Sequence, residues 1–264
     1  MMNIRTREIV ILAVGLALVL GAAVGGYAVV RTRADGAPDR QVLAPVAMPT
    51  PSASSGSPAP QYERWTVGKA TGPVTVLMRP AAGARVLTRL GKVNQNGYPT
   101  LVLVDKRRDV AGASWTRVWV AMRPNETRGW VRDGQLAYYT TSSKVVIDLS
   151  RRKLMVYQRG ALKATFPVAI GKPGLETPTG FYFINQKLRP PSPGGAYGVL
   201  AIGISAFQPK LAYWAQGGPV AIHGTNEDNL IGKAISHGCV RMHNADILKV
   251  NSLVPAGSPV IVQE

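Results

Sequence analysis

The sequence predicts a mostly β chain. A small antiparallel barrel or sandwich comes first, then a longer, β-sandwich-like domain with one short helix, and an apolar N-terminal segment precedes both. Three observations predict this. Short runs rich in Val, Ile, Thr and aromatic residues recur from residue 62 onward, each broken by turn residues. The 264 residues include 28 Gly and 20 Pro, punctuation that suits strands and turns better than long helices. Only NADILKVNSLV, starting at Asn244, carries the spacing and start signals of a helix.

Residues 1–33 are expected to be a membrane anchor or signal segment. Residues 9–30 carry no charge over twenty-two positions, and as a helix they would reach about 33 Å, enough for a bilayer core of roughly 30 Å. The run is longer than a usual signal-peptide core, which favours a retained transmembrane helix, while Gly21-Ala22-Ala23 leaves cleavage open. Flanking charge does not set the orientation, because Arg5 and Arg7 balance Arg31 and Arg33. Residues 34–62 are rich in Pro, Ala, Ser and Gly. They hold too little apolar surface to fold, and read as an extended linker.

Residues 61–264 hold 26 Lys and Arg against 11 Asp and Glu, a net charge of +15. Basicity of this size raises nucleic acid as a partner. No helix-turn-helix, zinc-finger or RNA-recognition pattern is present, so nucleic acid is not expected. An anionic wall polymer or acidic membrane surface fits an exported basic domain better. No heptad or exposed apolar stripe is visible, and a monomer is expected.

Within residues 63–140, PVTVLM, YPTLVLV, TRVWVAM and RGWVRDGQLAYY alternate as strands do. The stretch WTRVWVAMRPNETRGWVRDGQL resembles the closing strands of a bacterial SH3-like β-barrel, on its Trp130-Val131 strand after a Gly turn. That resemblance implies contact with cell-wall material. A spacer with core tryptophans is the plainer reading.

Residues 143–264 continue with KVVIDLS, KLMVYQRG, ATFPVAIG, GFYFINQ, GVLAIGIS, PVAIHG and PVIVQE, the first two forming a hairpin around Arg151-Arg152. In the helix Asn244 is expected as N-cap, Asp246 in the first turn, and Ile247, Leu248, Val250 and Leu253 as the apolar face.

All three histidines crowd the single cysteine: His223 in VAIHGTN, then His237 and His243 with Cys239 in ISHGCVRMHN. Three chemistries use such a group. Zinc ligation is disfavoured by the spacing and the lack of supporting carboxylates, so no metal is expected. A buried inert cysteine is the second reading. The third is a thiol nucleophile with a histidine base, for which Gly238 and neighbouring backbone N–H groups could hold the oxyanion.

IHGTN (residues 222–226) and SHGCVRMHN (residues 236–244) resemble the paired motif of the L,D-transpeptidase catalytic domain, supported by AIGKPGLETPTGFYFI upstream. The resemblance covers about residues 144–264. It implies Cys239 as nucleophile and His223 as general base, its ring oriented by the Gly224 carbonyl. It implies that Ser236 and Gly238 shape the nucleophile loop and oxyanion site, and that His237 is a neighbour tuning the thiol. Arg241 and Asn244 would bind substrate or fix the loop, and His243 would be structural. No cofactor is implied. The activity implied is acyl transfer on peptidoglycan stem peptides outside the membrane: release of D-Ala from a tetrapeptide donor and 3→3 cross-linking, with carbapenems acylating the same thiol. Hydrolysis of the same thioester, a non-catalytic wall-binding protein and a zinc amidase are the rival readings.

Overall fold

The computed structural model describes residues 62–264. The apolar segment 9–30, and all of the linker except Tyr62, lie outside the described residues. Among the described residues no helix is long and apolar enough to cross a membrane.

The first sheet contains β1 (Trp65–Ala70), β2 (Val74–Leu77), β3 (Val86–Leu90), β4 (Leu101–Val110), β5 (Ala113–Trp119), β6 (Arg128–Arg132) and β7 (Leu136–Thr141). Every pairing is antiparallel, in the order β3-β2-β6-β5-β4-β1-β7. β4 and β5 form a two-residue hairpin in which Ala111 and Gly112 both take positive φ, as a type I′ turn requires. The sequence reading counted fewer strands here. β1 and β3 went unassigned because their sequences, WTVGKA and VLTRL, break the alternation, and RGWVRDGQLAYY divides into β6 and β7 at the Gly134 turn.

The second half contains β8 (Ser143–Asp148), β9 (Lys153–Gln158), β10 (Ala161–Pro167), β11 (Ile170–Gly171), β12 (Gly180–Leu188), β13 (Ala201–Phe207), β14 (Pro219–His223), β15 (Ala234–Ser236), β16 (Val240–Arg241), the helix α1 (Asn244–Leu253) and β17 (Pro259–Gln263). Eight of these strands run in the order β10-β9-β8-β17-β12-β13-β14-β16, and β11 pairs separately with β15. β12 joins two leaves: Gly180–Phe183 pairs with β17, and the stretch from Ile184 to Leu188 pairs with β13. One apolar cluster is shared by both leaves, with Ile147 and Leu154 from one, Ile204 and Ile222 from the other, and Ile247 and Val250 of α1. The β8–β9 turn forms where expected. Asp148 Oδ1 accepts hydrogen bonds from Ser150 Oγ and the Arg151 N–H, both at 2.8 Å.

Two details of the helix differ from expectation. The N-cap is His243 rather than Asn244, and it makes no side-chain capping bond. Leu248 is exposed, because the buried stripe runs through Ile247, Val250 and Val254.

The two sheets meet at a second apolar cluster. Val67, Leu101 and Leu103 of the first sheet enclose Phe183 of β12, and Trp119 lies against Phe181 with ring centroids 4.9 Å apart. Above this cluster, polar side chains of the first sheet reach the segment between β13 and β14.

Candidate active site

β14 and β16 are parallel neighbours in the register Ile222↔Val240 and His223↔Arg241. Cys239 immediately precedes β16, so it lies opposite Ala221, and Ala221 and His223 point to the same face of β14. The sheet register alone therefore brings the thiol and the imidazole to one side of the sheet. Two side chains sixteen residues apart in sequence are thereby brought to one face.

His223 is buried. Its Nδ1 lies 2.6 Å from the carbonyl oxygen of Gly224, an arrangement that assigns the proton to Nδ1 and leaves Nε2 as acceptor. Burial pushes its pKa down to about 4, the Gly224 bond opposes that shift, and the Arg241 charge adds to it. The imidazole is thus neutral at physiological pH, the form in which it can accept a proton. The Tyr197 ring covers it at 4.8 Å.

Cys239 is the only cysteine and is half-buried. Burial raises its thiol pKa, while a backbone hydrogen bond with Ala221 and the charge of Arg241 pull it down. Both shifts favour the uncharged forms, a neutral thiol and a neutral imidazole.

The loop holding Cys239 is built by Ser236. Its Oγ donates to the Cys239 carbonyl at 2.5 Å and accepts the Gly238 N–H at 3.1 Å. The Gly238 N–H is committed within the loop, whereas the Cys239 N–H has no hydrogen-bond partner among the described residues. Gly238 sits at φ +111°, and a side chain there would press on Gln208 Nε2 at 3.1 Å.

Asn244 joins three backbone segments. Oδ1 accepts the Val199 N–H at 3.1 Å and Nδ2 donates to the Thr225 carbonyl at 2.9 Å, so both ends of its amide are occupied by backbone. A Cβ on Gly224 would fall 2.1 Å from its Oδ1, which explains the glycine beside the base. Arg241 pairs with Glu227 at 2.6 Å and anchors its loop, and its Nε has no partner among the described residues. His243 stands at the start of the helix with Nδ1 3.1 Å from Asp228 Oδ1. His237 is exposed and faces Trp214 at 5.3 Å. Among the described residues no three His, Cys, Asp or Glu side chains are grouped to hold a metal ion.

Two clefts, of about 420 and 410 Å³, converge on Cys239 and share Tyr197, Gln216 and Pro219. One continues past Gln186 and Leu188, the other past Leu211, Trp214 and His237. Sequence reasoning missed Tyr197, Gln208, Trp214 and Gln216. RPPSPGGAYG before Val199 is rich in Pro and Gly, and nothing in it indicates which side chain covers the histidine.

The sequence profile of the YkuD L,D-transpeptidase catalytic domain matches residues 142–262. A protein of Bacillus licheniformis, provisionally named L,D-transpeptidase YkuD, is 40% identical over 124 residues, covering 47% of this chain and 67% of that protein. Its Bacillus subtilis counterpart, also provisionally named, is 37% identical over 125 residues, covering 47% and 68%. Among solved structures, an L,D-transpeptidase from Mycobacterium tuberculosis H37Rv overlaps loosely, with a TM-score of 0.41 at 18% identity over 61% of this chain and 98% of that one. On its match to the two YkuD relatives, this chain belongs to the L,D-transpeptidase catalytic domain family.

Proposed function

We propose that the protein is a cysteine L,D-transpeptidase that cross-links peptidoglycan stem peptides. The observation that supports this reading is that Cys239 opens on two clefts and shares a face of the sheet with His223. A two-substrate acyl transfer needs a nucleophile that a donor and an acceptor can each approach.

The proposed steps are these. His223 Nε2 takes the thiol proton as Cys239 Sγ attacks the carbonyl of the third stem residue. The Cys239 N–H is the donor placed for the developing oxyanion. Collapse breaks the C–N bond to the terminal D-Ala, whose nitrogen receives the proton from His223, and a thioester remains. The side-chain amine of a second stem then attacks the thioester, His223 accepts its proton, and the thiol is regenerated with a 3→3 cross-link formed. Arg241 and Asn244 hold the loops around this pair, and Ser236 holds the nucleophile turn.

In this reading the reaction takes place at the outer face of a bacterial membrane, next to an anionic wall; the net charge of +15 over residues 61–264 and the uncharged run at residues 9–30 support it. The first sheet serves there as an SH3-like wall-facing module, and the protein works as a monomer. The test is product analysis. The full chain, incubated with a synthetic tetrapeptide stem and a stem bearing a free side-chain amine, should release D-Ala and form a cross-linked dimer. Tripeptide without dimer would instead identify a carboxypeptidase.

A further inference from the structure

Residues 208–218 form a strap between β13 and β14 that walls one side of the Cys239 cleft with Gln208, Leu211, Trp214 and Gln216. Its neck is closed by the Gln208 N–H donating to the Gly218 carbonyl at 2.9 Å. Two short 3-10 turns, Pro209–Leu211 and Ala215–Gly217, shape the rest. The Gln208 side chain is buried against Gly238, the residue before the nucleophile, and donates to the Glu176 carbonyl at 2.6 Å. Any movement of the strap neck is therefore felt at the cysteine loop.

The strap's neck is also held from outside the strap. The carbonyls of Gln208 and Gly217 face one point, and the Gln208 carbonyl also accepts the Leu211 N–H at 3.1 Å. Arg123, from the loop after β5 in the first sheet, fills that point. Its Nη2 donates to both carbonyls at 2.6 Å, and its Nε donates to Gly217 at 3.0 Å. Asn125 fixes the residue before the strap, donating to the Phe207 carbonyl at 2.9 Å and accepting its N–H at 2.8 Å. Asn96 holds the far side by accepting from Gln216 Nε2 at 3.0 Å.

We propose that Arg123 is a positioning residue for acyl transfer, and that the first sheet is a working part of the active site rather than a spacer. The inference rests on the acyl-transfer reading of Cys239. Arg123 acts through the strap. It sets the shape of one approach to the thiol and the support under Gly238, and touches no reacting atom.

The experiment compares the full-length wild type with Arg123→Ala, Arg123→Lys and Asn125→Ala, with Arg108→Ala as control, since Arg108 is an exposed cation of the same sheet away from the strap. Hydrogen–deuterium exchange reads the strap directly. Arg123→Ala should raise exchange across residues 208–218 at least about tenfold while β8 and β9 keep wild-type protection. The kcat/KM for a tetrapeptide stem should fall about 10- to 100-fold, the scale of a displaced approach, while iodoacetamide still alkylates Cys239 without slowing. Lysine, able to reach one carbonyl but not bridge both, should restore part of the rate. Asn125→Ala should give a smaller change of the same kind. Strap exchange or kcat/KM equal to the Arg108→Ala control would overturn the proposal. A wild type that fails to turn over the stem would instead sink the functional reading, and the exchange arm would still decide whether Arg123 braces the strap.

Discussion

The two sheets reach the Cys239 cleft by different means. The second sheet brings the Cys239 thiol and the His223 imidazole to one face through the register of parallel strands, with the imidazole held by a carbonyl one residue away. The first sheet delivers no reacting group. It sends a guanidinium and two amide side chains to hold the strap beside the cleft, across 82 to 120 residues of sequence. Chemistry in this molecule is encoded locally, and the path to that chemistry is encoded between halves. A defect in the second sheet should therefore remove the reaction, and a defect in the first should leave the thiol reactive but poorly approached.

Substitutions can break that contrast in graded steps. The largest effect belongs to Cys239→Ala, which should abolish thioester formation and leave the circular dichroism spectrum unchanged. Residual acyl transfer would remove the thiol from the mechanism. His223→Gln should lower kcat/KM by roughly 10²–10⁴-fold, the usual worth of a positioned base. It should also change how stability depends on pH. With a folded pKa of about 4 against an ordinary 6.5, the unfolded chain binds more protons between those values, so wild-type stability rises with pH through that window and levels off above it. Urea titrations from pH 4 to 7 should show that rise flattened in the variant.

Asn244→Ala comes next. It strands the Val199 N–H and the Thr225 carbonyl, and should cost about 1–3 kcal/mol by denaturant unfolding. Gly224→Ala should also destabilise, through a Cβ 2.1 Å from Asn244 Oδ1, and the double variant should lose less than the sum because the clash is gone. A strictly additive pair would mean that Gly224 is constrained by something else. The smallest effect is expected at His237→Lys, since that ring is exposed against Trp214 and outside the hydrogen-bond network of the pair. A rate loss as deep as that of His223→Gln would reassign the base.

Much of the second half was legible from sequence. Its longer strands show as β-rich runs and the Arg151-Arg152 turn is local, whereas the short strands β15 and β16 around the cysteine motif carry no such run and went unassigned. The rest depended on contacts that no local pattern reports. Asn244 looks like an N-cap because Asn at a helix start usually is one. Here its amide is used to tie residues 199 and 225 together, so His243 takes the cap position without a side-chain bond. Gly238 offers an N–H beside the nucleophile, but Ser236 Oγ occupies it. Leu248 was placed on the core face by composition, and the helical spacing of Ile247, Val250 and Val254 turns it outward. QPKLAYWAQGGP reads only as a turn-rich connection. Its place over the cleft appears once Arg123 and Asn125 are seen to hold it.

The central claim, that Cys239 is acylated by a stem peptide with His223 as its base, is tested most directly by intact-protein mass spectrometry. The full chain would be mixed with a synthetic tetrapeptide stem in the absence of an acceptor amine. The account predicts a mass increase equal to the tripeptide acyl group at Cys239, absent from Cys239→Ala and formed far more slowly by His223→Gln. A folded protein that gains no mass, or an adduct that persists in Cys239→Ala, would contradict it.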